Sequence, residues 1–132
     1  MFEQTGLCFI YARLYHPVMK TVSRARVLAD RRTIFNLAAP LSNPAMPAFQ
    51  VVGTPMQTNA QLLAEILQRL GRTRSFVVTG EPGIDEVSIS CATQILDVSQ
   101  QDVSSMRISP QDLVSSQSNT RRSPEETPKR TK

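Results

Sequence analysis

Apolar positions along the chain alternate between short continuous runs and helical stripes. Leu7 to Tyr11 (LCFIY) is a continuous apolar run of the kind a buried strand makes. In HPVMKTVSRARVLA, Pro17 fits a first helical position, and Val18, Val22, Ala25 and Ala29 share one helical face. A short helical piece follows around Arg32 to Leu37. Pro40, Pro44 and Pro47 then enforce an irregular connector, APLSNPAMPA.

The second half is more regular. Phe49 to Gly53 (FQVVG) reads as a strand. Thr58 is a good helix N-cap with Gln61 three residues on, a capping box. Leu62, Leu63, Ile66, Leu67 and Leu70 form a broad apolar stripe, and Gly71 suits the position just past the helix. Phe76 to Thr79 (FVVT) is the next strand, completing a βαβ unit with parallel strands. Val87 to Ser90 and Thr93 to Val98 read as a hairpin around Cys91 and Ala92. A last strand covers Met106 to Ile108, and Ser109–Pro110 opens a final helical turn. The fold class is therefore α/β, part of a mainly parallel sheet flanked by helices.

From Ser115 the pattern stops. SSQSNTRRSPEETPKRTK contains no apolar side chain and cannot offset the entropy of ordering, so it reads as a disordered basic tail. The expected organisation is a partial α/β domain over 1–114 and a tail over 115–132.

Charge sharpens this division. The 132 residues carry 15 basic and 11 acidic side chains, a net charge of +4. Residues 117 to 132 hold five basic and two acidic of these, so the remainder is close to neutral. A near-neutral body argues against nucleic acid as a partner. No stretch approaches the roughly 18 apolar residues of a membrane span, and the expected location is the cytoplasm. Two cysteines far apart, Cys8 and Cys91, build neither a disulfide scaffold nor a zinc site. A single histidine, His16, excludes a multi-histidine metal centre.

Two groups of residues carry candidate chemistry. GEPGIDE follows the end of a strand and presents Asp85 beside Glu86, oxygen ligands suited to a hard cation such as Mg²⁺. Taken alone, the segment fits a solvated acidic turn better. It is neither a Walker nor a dinucleotide-binding fingerprint. His16 stands at a strand-to-helix junction, with Met19 and Arg26 on one face of the helix that follows. An arginine on a partly apolar face suits a carboxylate. Taken alone, an ordinary capping histidine and solvent-facing arginine fit better.

Together, three segments resemble a known family. GLCFIYARLYHPVMKTVSRAR, RRTIFNLAAPLSNPA and VVTGEPGIDEVSIS are similar, in order and spacing, to the anthranilate phosphoribosyltransferases. These belong to a glycosyltransferase family that shares its fold with the pyrimidine nucleoside phosphorylases. The resemblance covers roughly Glu3 to Leu113. It implies transfer of phosphoribose from phosphoribosyl pyrophosphate to the amine of anthranilate, in tryptophan biosynthesis, with Mg²⁺ as cofactor. It further implies that Asp85 and Glu86 are metal-associated carboxylates. His16 and Met19 would line the anthranilate site, and Arg26 would pair with the anthranilate carboxylate.

The departures from the family are specific. Its glycine-rich G-T-G-G-D loop, its N-x-S/T segment and its K-H-G-N segment do not occur in these residues and would lie before Met1. Arg13 stands where the family usually has proline, Ala39 replaces a glycine, and Cys91–Ala92 replace a Gly-Pro turn. The resemblance supplies no catalytic acid or base here. The chain is expected to hold acceptor-side and metal-side residues, to turn over little unaided, and to need a complementary N-terminal half. The rival readings are a non-catalytic interaction module and a gene remnant.

Overall fold

The computed structural model describes residues 2–16, 21, 28, 33–112 and 114. The expected helix after Pro17, the positions of Met19 and Arg26, and the tail at 115–132 lie outside the described residues. The chain divides into two compact units, Met1–Pro47 and Ala48–Lys132.

In the first unit, α1 (Phe2–Thr5) and α2 (Ala12–Tyr15) are single turns, and α3 spans Ile34–Leu41. The Leu7 to Tyr11 run is not a strand; Leu7 and Phe9 are exposed, and Phe9 stacks on Tyr11 with centroids 6.5 Å apart. A short apolar run becomes a strand only beside another strand, and none neighbours it among the described residues. Helix α3 begins where the Thr33 amide and hydroxyl donate to Asn36 Oδ1, at 3.2 and 3.3 Å. It runs through Pro40, which the sequence places in a connector. Proline is tolerated here because the helix ends at once. The Ser42 hydroxyl donates to the Ala38 carbonyl at 2.7 Å, and its amide to Ala39 at 3.2 Å.

The second unit holds the sheet. Strands β1 (Phe49–Gly53), β2 (Arg74–Gly80), β3 (Thr93–Ser99) and β4 (Val103–Ile108) lie in sequence order, with α4 (Gln57–Arg69) between β1 and β2. The expected α/β class and the parallel β1–α4–β2 unit are present. The sheet is mixed: β2–β3 and β3–β4 are antiparallel, so within these residues it is not mainly parallel.

The hairpin is also displaced from its expected place. It joins β3 to β4 through a turn in which the Ser99 amide and hydroxyl both donate to the Asp102 carbonyl. Val87 to Ser90 forms no strand, because side chains claim the backbone groups a ladder would use. The Ser88 amide donates to Thr93 Oγ1 at 2.9 Å, and Ser88 Oγ accepts from the Cys91 amide at 2.9 Å.

Helix α4 covers one face of the sheet. Its buried residues Ala60, Leu63, Ala64 and Leu67 follow helical spacing and meet Val52, Val77, Leu96 and Val98. The seam lies to one side of the stripe expected from the leucines, since Leu62 and Leu70 are exposed. Alanines at 60 and 64 permit close approach to the strands. The helix starts before Thr58, with Met56 as N-cap. Buried Thr54 fixes that start, accepting from the Met56 amide at 3.4 Å. Gly71 follows the helix at φ +69°, as its place in the sequence implies.

Candidate functional site

Ligands of open α/β sheets collect at the carboxyl ends of parallel strands. Here those ends are Gly53 of β1 and Gly80 of β2. The segment from Glu81 to Ala92 leaves β2, folds back over both ends and returns into β3. Its first turn is clamped by a two-way pairing: the Gly80 amide donates to the Ile84 carbonyl at 3.0 Å, and the Ile84 amide donates back at 2.9 Å. The Glu81 amide donates to the Ala92 carbonyl at 2.9 Å, drawing the two ends of the loop together. Gly83, at φ +133°, takes a conformation that side chains disfavour, and its Cα faces the Pro55 carbonyl.

Asp85 and Glu86 sit at the crest of this loop, side by side and exposed. Two glycines let their backbone approach the sheet. A Cβ at Gly53 would collide with the Asp85 carbonyl oxygen, and one at Gly80 would lie 2.6 Å from the Glu86 carbonyl oxygen. The base of the loop is pinned by buried Ser88 and Thr93. The loop is thus held by backbone pairing, while both acidic side chains remain without a hydrogen bond or ion pair among the described residues.

That arrangement fits Mg²⁺. The ion keeps several waters and takes one or two protein carboxylates, with phosphate oxygens completing its octahedron. No group of three or more His, Cys, Asp or Glu that could hold a metal ion occurs among the described residues, so the protein oxygens this loop could offer are those of Asp85 and Glu86.

His16 belongs to the first unit. It is half-buried and lines a small cavity of about 180 Å³ with Ile10, Ala39, Pro40, Asn43 and Pro44. The wall is apolar apart from His16 and Asn43, and it is shaped by the last turn of α3 and the turn after it. The structure places Asp85 and Glu86 on one exposed loop, and gives His16 a cavity that the sequence segments around Pro40 and Pro44 supply. Four contributors escaped the sequence reading: Gly53, Thr54, Ser88 and Thr93. A glycine ending an apolar strand run was the one signal that pointed to a close backbone approach.

Two ion pairs of the sheet are structural. Arg107 pairs with Glu81 at 2.8 Å in full solvent, a contact of small energy. Arg74 makes a two-pronged pair with Asp97, at 3.0 and 2.6 Å, and its guanidinium lies 5.2 Å from the Phe76 ring centre. The hydrogen bonds from Arg74 hold the Asp97 carboxyl below the usual carboxylate range, against partial burial that pushes it up.

The backbone-clamped acidic loop lies at the ends of the parallel strands, where open α/β sheets bind their ligands. Residues 1–129 match the family described as "Glycosyl transferase family, a/b domain", and the chain belongs to that family. Among curated relatives, the anthranilate phosphoribosyltransferase of Ignicoccus hospitalis is 46% identical over 104 residues, which are 79% of this chain and 31% of that protein. The enzyme of the same name from Azorhizobium caulinodans is 43% identical over 110 residues, 83% of this chain and 32% of the relative. The chain thus spans about a third of the length of the relatives it matches.

Solved structures agree on the fold. A variant of the Saccharomyces cerevisiae anthranilate phosphoribosyltransferase with Mg bound superposes with a TM-score of 0.72 at 24% identity, over 80% of this chain and 30% of that one. The same yeast enzyme in complex with 4-fluoroanthranilate gives 0.67 at 24% identity, over 73% and 27%. The resemblance read from the three sequence segments is borne out. Among the described residues, no helix is long and apolar enough to cross a membrane.

Proposed function

We propose that this chain carries the acceptor side and the metal side of an anthranilate phosphoribosyltransferase acting in the cytoplasm. The observation that carries the reading is the Asp85–Glu86 pair, unpaired and clamped at the ends of β1 and β2. The names of the relatives supply the substrates, anthranilate and phosphoribosyl pyrophosphate.

In such a transfer the C1–oxygen bond of the ribose breaks and pyrophosphate departs with the electron pair. The anthranilate nitrogen bonds to C1 and loses a proton. The barrier falls mainly through alignment and stabilisation of charge. Asp85 and Glu86 would hold Mg²⁺, which when bound would supply charge neutralisation to the pyrophosphate. Arg26 pairs with the anthranilate carboxylate, and His16 and Met19 line the acceptor pocket. His16 has the apolar-walled cavity that an aromatic ring requires.

The donor-phosphate loop comes from the part of the family's length that this chain does not span. The test is to mix the purified chain with the portion of the Ignicoccus hospitalis relative outside the matched segment. Phosphoribosyl pyrophosphate and Mg²⁺ are added, and loss of anthranilate fluorescence is followed. The mixture turns over and neither component does so alone. Turnover by this chain unaided, or an inactive stoichiometric complex, overturns the reading.

A further inference from the structure

Asn43 follows the end of α3 by two residues and has two parts in the structure. The first is local. Asn43 and Pro44 open a turn that closes where the Met46 amide donates to the Asn43 carbonyl at 3.1 Å. Asparagine followed by proline suits the first two places of such a turn. The Ala45 amide also donates to Asn43 Oδ1, at 3.0 Å. A backbone N–H only donates, so the end of the side-chain amide that faces it is the oxygen.

The second part is in the cavity. Asn43 is half-buried and lines the space of about 180 Å³ beside His16, with Ile10, Ala39, Pro40 and Pro44. An apolar cavity of about 150 Å³ holds a benzene ring, so this one has room for a ring and a small substituent. The Asn43 oxygen is spent on the turn. What remains is Nδ2, which carries two donors and no acceptor, and it has no acceptor of its own among the described residues. His16 presents a donor or an acceptor according to its proton. Asn43 has no such choice, because the turn fixes it as a donor.

We propose that Asn43 is a specificity-determining residue of the acceptor site, its Nδ2 donating to a carboxylate oxygen of the aromatic substrate. The proposal rests on the functional reading above and adds a residue that reads the acceptor. Chemistry selects the carboxylate over the amine. The amine nitrogen keeps its lone pair to bond C1, and an N–H donor placed on it would hold that pair. A carboxylate has no hydrogen to give and accepts at both oxygens. A ring that bears both groups is therefore held one way round, since a fixed donor serves only the carboxylate.

The test compares anthranilate with 2-aminobenzamide, whose carboxamide donates as well as accepts. Each is titrated by its own fluorescence into a mixture of this chain with the portion of the Ignicoccus hospitalis relative outside the matched segment. Asn43→Asp keeps an oxygen for the Ala45 amide and puts a second oxygen in place of Nδ2. It weakens anthranilate at least tenfold and leaves 2-aminobenzamide within about twofold, while amide exchange at Ala45 is unchanged. A second readout needs no variant to fold. In the unsubstituted chain, the Asn43 side-chain NH₂ resonances shift on adding anthranilate and stay in place on adding aniline, which lacks the carboxylate.

Equal loss of both ligands in Asn43→Asp, unchanged anthranilate binding, or NH₂ resonances that respond alike to anthranilate and aniline overturns the proposal. Failure of the unsubstituted mixture to bind anthranilate overturns it together with the functional reading. Otherwise the two claims separate. Anthranilate binding with the expected Asn43 response, but no transfer once phosphoribosyl pyrophosphate and Mg²⁺ are added, defeats the functional reading alone. Transfer without that response defeats the role of Asn43 alone.

Discussion

Gly53 lies directly against the Asp85 carbonyl, so the end of β1 and the crest of the acidic loop touch through backbone alone. No side chain fits between them. The position of the Asp85–Glu86 pair is therefore set by the absence of a Cβ thirty-two positions earlier in the chain.

Gly53→Ala is expected to push the loop away from the sheet and to cost about 1–3 kcal/mol, the usual effect of overpacking a tight contact. Gly71→Ala is the contrast. Open space surrounds Gly71, and its cost comes from φ +69°. Both variants lower the denaturant midpoint. Only Gly53→Ala should change amide exchange at Asp85 and Glu86. Equal exchange in the two variants would count against a loop seated on Gly53.

Thr93→Val removes the acceptor of the Ser88 amide at nearly constant volume. Both residues are buried, so a backbone donor is left unsatisfied, at a cost of about 1–3 kcal/mol. The measurement is chemical denaturation together with exchange at Ser88. Unchanged stability would show that the loop does not depend on this bond.

Acid should loosen the sheet through Asp97. Its carboxyl is held low by Arg74, so the unfolded chain binds the proton more readily than the folded one. The resulting stability is complete above the ordinary carboxylate pKa of about 4 and is lost as pH falls through the lower, folded value. Asp112, held low by the Ser109 hydroxyl and amide, acts in the same direction. The midpoint difference between the unsubstituted chain and Asp97→Asn should be present at pH 7 and shrink at pH 3. A difference that grows on acidification would reverse the sign of the argument.

Much of the second unit was legible in the sequence. Phe49 to Gly53 and Phe76 to Thr79 carry β-branched and aromatic runs, and the segment between them has helical spacing. The parallel unit follows from those three facts. The acidic loop was legible as a position, since GEPGIDE ends a strand run. Its anchoring was not, because the Ser88–Thr93 bond turns a strand-like stretch into a turn through side chains. Leu7 to Tyr11 misled for a different reason. An apolar run specifies burial against something, and it does not specify a strand without a neighbour. The true helix start was hidden because Thr54, four residues upstream of Thr58, holds the preceding turn. His16 was legible as a position before a helix, and its cavity was not, because it depends on α3 reaching past Pro40.

The metal dependence of the reconstituted transfer tests the central claim most directly. The chain is mixed with the complementary portion of the Ignicoccus hospitalis relative, and the initial rate is recorded against Mg²⁺ concentration. Asp85→Asn and Glu86→Gln should each raise the half-maximal Mg²⁺ concentration at least tenfold while leaving complex formation unchanged. The same Mg²⁺ curve in all three proteins, or no transfer by the unsubstituted mixture, would contradict the account.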